Sequence, residues 1–447
     1  MNKEFHIANC LANYAKSDAI RLHMPGHKGD ATCPLGEFFP YDITELSFSD
    51  NLADANGVIA RAQKDIAQIC GAKKSFILTG GSSLGVLSMV YAVKNRGKKM
   101  LVARSSHKSV LNALTLLGIE PIFLNEQIIN GLPQPVFENK SELENLDNDI
   151  IGALITSPNY YGRAFNLKNI ANILHSQGKL LLVDGAHGSH FVFDNPTLYP
   201  ANFADLWVDG AHKTLYTLTQ GAILHLNELS LENEIKNALS IFSTSSPNYP
   251  IMASVESGVK TFCNIKEENL SEFKRAKQIV ENALKAKGFF VIESDDALKM
   301  TIDLNGLIKG EEIVKLLESN NIYVELYNDD YLLLMLSYKF NQKSANRVAD
   351  IILKVNTAKR ERAFLKNHFP QRKLSYTKAI SSKSELVEIV NANGRICAES
   401  VGIFPPCYPL ILPGEVFDNS VISRLLVENT FGCYGSKVKV VKEEKEC

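Results

Sequence analysis

The sequence predicts an α/β protein: a large domain on a mostly parallel sheet, then a smaller α+β domain, then a compact C-terminal α+β domain. Three observations carry this. Helical and strand periods alternate from residue 58 to residue 208, the strand segments are apolar throughout rather than at every second position, and the composition turns polar near residue 262. Apolar strands separated by helices belong to a parallel sheet covered on both faces.

Residues 1–57 are read as an N-terminal segment and 58–261 as the large domain. In it "VIARAQKDIAQICG" has helical spacing, "SFIL" is a buried strand, "SLGVLSMVYAVKNRG" a helix and "KMLVA" a strand. "HKSVLNALTLLG" is helical, "EPIFL" and "IIGALIT" are strands, "LKNIANILHSQG" is a helix, and "KLLLV" and "DLWV" are strands. The small domain, 262–356, opens on the amphipathic helix of "KEENLSEFKRAKQIVENALKAKG". The basic stretch within 357–374 reads as a linker, and residues 375–447, with "PPCYPLILPGE", form the C-terminal domain.

The charge is balanced, 48 Lys and Arg against 49 Asp and Glu, and no basic run interleaves with aromatics. That excludes a nucleic-acid or anionic-membrane footprint and leaves a small-molecule partner. The start has no apolar stretch of signal-peptide length and "LGVLSMVYAV" is too short to span a bilayer, so the protein reads as cytoplasmic. Eight cysteines without a C-x-x-C pair point to reduced thiols and no metal site.

In open α/β sheets ligands bind beyond the carboxyl ends of the strands. Four such loops carry polar groups. "TGGSSLG" offers Ser82 and Ser83 at a helix N-terminus, suited to a phosphate but matching neither a P-loop nor G-x-G-x-x-G. "RSSHKSV" places His107 at a helix start, where it could stack on a flat ring. "DGAHGSH" puts Asp184 past a buried strand with His187 three residues on, and "DGAHKTL" carries His212 and Lys213. Each alone has an ordinary explanation: a capped turn, a surface histidine, a solvated lysine. Together they are a phosphate cradle, a stacking ring, a carboxylate for a ring nitrogen and an imine-forming amine, the parts a pyridoxal 5'-phosphate site needs.

At these residues the sequence resembles the ornithine/lysine/arginine decarboxylase family of fold type I (aspartate aminotransferase-like) pyridoxal-phosphate enzymes, in the short form without an N-terminal wing domain. The likeness spans nearly the whole chain, through "LHMPGHKG", "YDITEL", "HKSVLNAL", "TSPNYYG", "STSSPNYPIMASVE" and "GRICAESVGIFPPCYPLILPGE" as well as the two DGAH loops. The resemblance implies that Lys213 holds the cofactor as an imine, Asp184 pairs with the pyridine nitrogen, and Ala186 and His107 pack on opposite ring faces. It places Ser82, Ser83 and His212 at the phosphate, His187 beside the ring, and Ser245 at the phosphate from a neighbouring subunit. It further implies a homodimer or larger assembly with active sites at the dimer interface.

The implied reaction is decarboxylation of arginine, lysine or ornithine to carbon dioxide and the amine that feeds polyamine synthesis, with Lys213 or His187 protonating Cα. Another fold type I reaction (aminotransfer, aldol cleavage or elimination) and a catalytically divergent paralogue stay open, although Lys299, Lys309 and Lys315 offer no clamp for a second carboxylate. A non-enzymatic relative would have little reason to keep both Lys213 and Asp184. Three departures from the family pattern stand out: Gly210 in place of a serine, Cys407 and Tyr408 in "PPCYP", and "SFSDNLA" after "YDITEL". The carboxylate that grips the distal cation of the substrate is open among Asp42, Glu45, Asp50 and Glu415.

Overall fold

The computed structural model describes residues 4–30, 32–129, 132–137, 140–360, 369–403, 408–427 and 430–443. Cys407 and the middle of the expected linker, 361–368, lie outside the described residues. In chain order the elements are α1 (His6–Ala15), α2 (Val58–Cys70), β1 (Lys74–Leu78), α3 (Gly81–Val93), β2 (Lys99–Ala103), α4 (Lys108–Leu117), β3 (Glu120–Leu124), β4 (Glu126–Ile129) and β5 (Leu132–Phe137). Then come β6 (Ile150–Thr156), α5 (Leu167–His175), β7 (Leu180–Gly185), α6 (Phe191–Asp194), β8 (Leu206–Asp209), α7 (Ala211–Thr214), β9 (Ala222–Leu226), α8 (Glu232–Phe242) and α9 (Tyr249–Phe262). The chain divides into two compact units, one of residues 1–97, 143–159 and 164–266, the other of 98–142, 160–163 and 267–447.

In the first unit the strands run in the order β1-β9-β8-β7-β6. β6, β7 and β8 are parallel, each buried along nearly its whole length, as their unbroken apolar sequences require. β9 is antiparallel to both β8 and β1, a reversal the sequence reading did not anticipate. The chain between β8 and β9, residues 210–221 with α7 in it, turns back at the same end of the sheet instead of crossing over one face, so β9 runs opposite to β8. Helix α3 packs so closely on β8 that a Cβ on Gly85 would stand 2.4 Å from Val208 Cγ2, so glycine is what lets the helix approach. Helix α1 is fastened by Glu256, whose fully buried carboxylate accepts from the backbone N–H groups of His6, Ile7 and Ala8. An anion at the positive end of a helix is the favourable arrangement.

The second unit holds the parallel pair β2 and β3, the β4–β5 hairpin and two further cores. One is a four-stranded antiparallel sheet whose Met300, Ile302 and Leu332 pack against Val280, Leu284, Ile313 and Ile352. The other, C-terminal, gathers Cys397, Val401, Ile411, Phe417, Val438 and Val440. Helix Glu267–Ala286 is the amphipathic helix read from the sequence, with Phe273, Ala276, Val280, Ala283 and Leu284 on its buried stripe.

Candidate active site

Strands β7 and β8 are parallel neighbours with Gly185 opposite Asp209, so the loops leaving their carboxyl ends, 186–190 and 210–215, emerge side by side. Asp184 is buried, 2 % exposed, and its Oδ1 accepts from the Ala186 N–H at 3.2 Å. Burial pushes its carboxyl above the usual range, against the pull of the Lys213 charge and that hydrogen bond. Such a group is costly as a lone anion and suits a cationic partner.

Lys213 sits on a single helical turn, its N–H donating to the Gly210 carbonyl at 2.9 Å. Its Nζ lies 3.0 Å from Nε2 of His187, so the lysine of one loop meets the histidine of the other. The loops also touch through backbone. A Cβ at Gly210 would stand 2.4 Å from the Ala186 carbonyl oxygen, and one at Gly188 2.6 Å from Pro158 Cδ. The residue that departs from the family's serine is therefore one where this backbone leaves no room for a side chain.

Two predicted phosphate partners are joined through one stretch of chain. Gly81, at φ +73°, donates its N–H to the Gln220 carbonyl at 2.8 Å, while both the N–H and Nδ1 of His212 reach the adjoining Gly221 carbonyl, at 3.0 and 2.9 Å. With Nδ1 donating, Nε2 of His212 can donate to an anion only when the ring is protonated. Ser82, half-buried, and Ser83, exposed, lie in the first turn of α3, where backbone N–H groups and the helix dipole favour an anion. Lys213, His187, Asp184, Ala186, His212 and the start of α3 thus belong to one unit and one end of its sheet.

His107 belongs to the second unit. It is the exposed N-cap of α4, its Nδ1 accepting from the N–H and hydroxyl of Ser109. The loop before it is held by Glu126, whose buried carboxylate accepts from the Ser105 N–H at 2.8 Å and from the Ser105 hydroxyl. Burial pushes Glu126 up to about 7, against the pull of both bonds and of Arg104. Ser245 is exposed on an open groove with Lys74, Lys236 and Thr244, and none of the other predicted site residues lines it.

The four candidate carboxylates separate clearly. Asp50 accepts from the backbone N–H groups of residues 51, 56, 57, 59 and 60, as the anchor of α2. Glu415 is buried in a bidentate pair with Arg104, at 2.7 and 2.8 Å, and also meets Arg372 at 3.2 Å. Both are committed to structure. Asp42 lies 3.3 Å from His27 Nε2, and Glu45 accepts from the Thr44 hydroxyl at 2.6 Å. Lys299, Lys309 and Lys315 pair with Asp296, Asp329 and Glu311 respectively, at 3.8, 3.5 and 2.6 Å.

The sequence reading missed Asp209, which is buried with Tyr199, Trp207, His225 and Ser75 behind the Lys213 loop. The signal was present, since Asp-Gly-Ala-His occurs at both 184–187 and 209–212. Among the described residues no cluster of His, Cys, Asp and Glu could hold a metal, and no helix is long and apolar enough to cross a membrane.

Residues 7–299 match the model of the Orn/Lys/Arg decarboxylase major domain and 358–432 that of the family's C-terminal domain. The chain is 31% identical to the uncharacterized protein YaaO of Bacillus subtilis, over 97% of this chain and 98% of that one. It is 28% identical to arginine decarboxylase of the same organism, over 97% of each. Among solved structures it is similar to the constitutive lysine decarboxylase of E. coli, with a TM-score of 0.81 and 18% identity over 99% of this chain and 82% of that one. Serine palmitoyltransferase of Sphingomonas wittichii shares the fold more distantly, with a TM-score of 0.55 and 15% identity over 69% of this chain and 79% of that one. Fold and sequence agree over both the large and the C-terminal domains, and the chain belongs to the Orn/Lys/Arg decarboxylase family, enzymes that work with pyridoxal phosphate.

Proposed function

We propose that this chain decarboxylates a basic amino acid (arginine, lysine or ornithine) to the corresponding amine and carbon dioxide, with pyridoxal phosphate held on Lys213. The observation that carries the reading is the contact between Lys213 Nζ and His187 Nε2 beside the buried Asp184. The residues fit the cofactor: Asp184 is a buried carboxylate suited to a protonated ring nitrogen, the start of α3 suits a phosphate, and Lys213 is an amine within reach of a proton acceptor. When bound, the cofactor supplies the electron sink that accepts the electron pair left as carbon dioxide departs.

The protein's own groups do the rest. To act as a nucleophile, Lys213 Nζ must shed a proton, and His187 Nε2 at 3.0 Å is placed to take it. The same 3.0 Å contact leaves the His187 ring placed to return a proton, so it and Lys213 are the candidate donors to Cα. A protonated ring nitrogen would be the cationic partner that the buried Asp184 carboxylate suits. With Asp50 and Glu415 committed elsewhere, Asp42 and Glu45 are the remaining candidates for the substrate's distal cation.

We place the enzyme in the cytoplasm as a homodimer in which His107 stacks on the ring and Ser245 reaches the neighbouring subunit's phosphate. The family resemblance supports this, as does the exposure of Ser245 on its groove. The test is to incubate purified protein and pyridoxal phosphate with each of the three amino acids and quantify carbon dioxide and amine, with Lys213→Ala alongside. One substrate should turn over and the variant should not. Equal turnover by Lys213→Ala, or none by the wild type on any of the three, overturns the reading.

A further inference from the structure

The two Asp-Gly-Ala-His segments end adjacent parallel strands, but their registers differ by one residue: Asp184 pairs with Val208, and Asp209 with Gly185. Because side chains alternate along a strand, that offset sends the two carboxylates to opposite faces of the sheet. The proposed function uses Asp184 and leaves Asp209 without a role. Yet Asp209 is 1 % exposed and elaborately held.

Its Oδ2 accepts from the Tyr199 hydroxyl at 2.7 Å and lies 3.3 Å from His225 Nε2. His225 Nδ1 is in turn 2.8 Å from the Ser75 hydroxyl, and the Trp207 ring stacks on His225 with centroids 4.7 Å apart while its Nε1–H donates to the Tyr199 oxygen. A Ser-His-Asp series is the constellation of an activated nucleophile, but Ser75, His225 and Asp209 are all buried, so no substrate carbonyl reaches Ser75. The network faces inward.

The other oxygen, Oδ1, has no hydrogen-bond partner among the described residues. It lies 3.1 Å from where a Cβ on Gly185 would be, beside the peptide that joins Asp184 to Ala186. A buried carboxylate oxygen left without a hydrogen bond against that backbone is expensive, and a cost of that kind calls for an explanation.

We infer that Asp209 is a positioning residue of the cofactor site, its buried negative charge acting through Asp184 to hold the proton on the cofactor's ring nitrogen. The inference rests on the cofactor reading above. The groups that face Asp209 from each packed element are Tyr199 from the segment before β8, Cys70 from the end of α2, His225 from β9 and Asp184 from β7. Tyr199 and Cys70 are both pushed upward, by burial first and by the Asp209 charge second. The same charge pushes Asp184 upward, adding to burial and opposing Lys213. Two carboxylates on opposite faces of one strand pair, in a poorly solvated setting, together favour a cation beside Asp184 more than Asp184 does alone.

The experiment loads apoprotein with pyridoxal phosphate labelled with 15N in the ring and follows the nitrogen's chemical shift against pH. Asp209→Asn removes the charge and keeps a hydrogen-bonding side chain, so the midpoint for ring deprotonation should move down by about tenfold in proton affinity or more. Tyr199→Phe keeps the charge and removes one hydrogen bond, so its midpoint should not fall. If Asp209→Asn does not fold, the Asp209→Asn/Tyr199→Phe pair is compared with Tyr199→Phe alone, and the same downward move is expected. An unchanged midpoint on loss of the charge overturns the inference, as does an equal fall in Tyr199→Phe. A wild type that binds no label overturns the cofactor reading itself, and with it the inference.

Discussion

Lys213 Nζ stands 3.0 Å from His187 Nε2, and the two residues leave the ends of neighbouring parallel strands. A proton can pass between them without water. Replacing His187 with Gln keeps a polar side chain but removes a ring nitrogen that can both take up and give back a proton. His187→Gln should still bind cofactor, with kcat lower by about 10²-fold or more and KM little changed, and the pH–rate profile should lose one limb. Steady-state assays of amine release across pH read both. A profile of unchanged shape would show that His187 takes no part in proton transfer.

Restoring the family's usual serine at Gly210 should do harm. A Cβ there would stand 2.4 Å from the Ala186 carbonyl oxygen and 3.2 Å from its carbon, and backbone atoms cannot swing aside as a flexible side chain can. Gly210→Ser and Gly210→Ala should each destabilise the protein by about 1–3 kcal/mol, through the same displacement of the 185–188 loop. Cofactor affinity should fall in both. Thermal unfolding and cofactor titration check this, and tighter cofactor binding by Gly210→Ser would mean that the hydroxyl reaches the phosphate after all.

Much of this was legible because the chemistry clusters where the period changes. Asp184 lies in the last two residues of β7 with His187 just past it, and His212 and Lys213 follow β8, so strand-end reading picks them out as candidates from sequence alone. Pairings made only by tertiary packing were not legible. Arg104 and Glu415 are 311 residues apart, and nothing local marks Glu415 as an arginine's partner rather than a substrate's. Asp209 was hidden for a different reason. Its motif duplicates that of Asp184, and only the one-residue register offset, a property of strand pairing, tells the two carboxylates apart. The antiparallel β9 was missed in the same way, because an apolar strand of five residues does not declare its direction.

Glu126 gives stability a pH dependence of definite sign. Its carboxyl is pushed from 4.5 to about 7 by burial, so between those values the folded protein keeps a proton that the unfolded chain has released. Stability from this group is therefore full at acid pH and declines as pH rises through the window, levelling off above about 7, where both states are ionised. The size is on the order of 3 kcal/mol across the window. Glu126→Gln stays neutral at every pH and can still accept from the Ser105 N–H, so its stability should not follow that decline. The variant and the wild type should match near pH 4.5, and the variant should be the more stable by pH 8, when unfolding of the apoproteins is compared at intervals between. The same comparison reports on the loop that leads to His107, which Glu126 holds. Curves that run parallel across the whole range would mean that water reaches Glu126 and that its carboxyl titrates as an ordinary one.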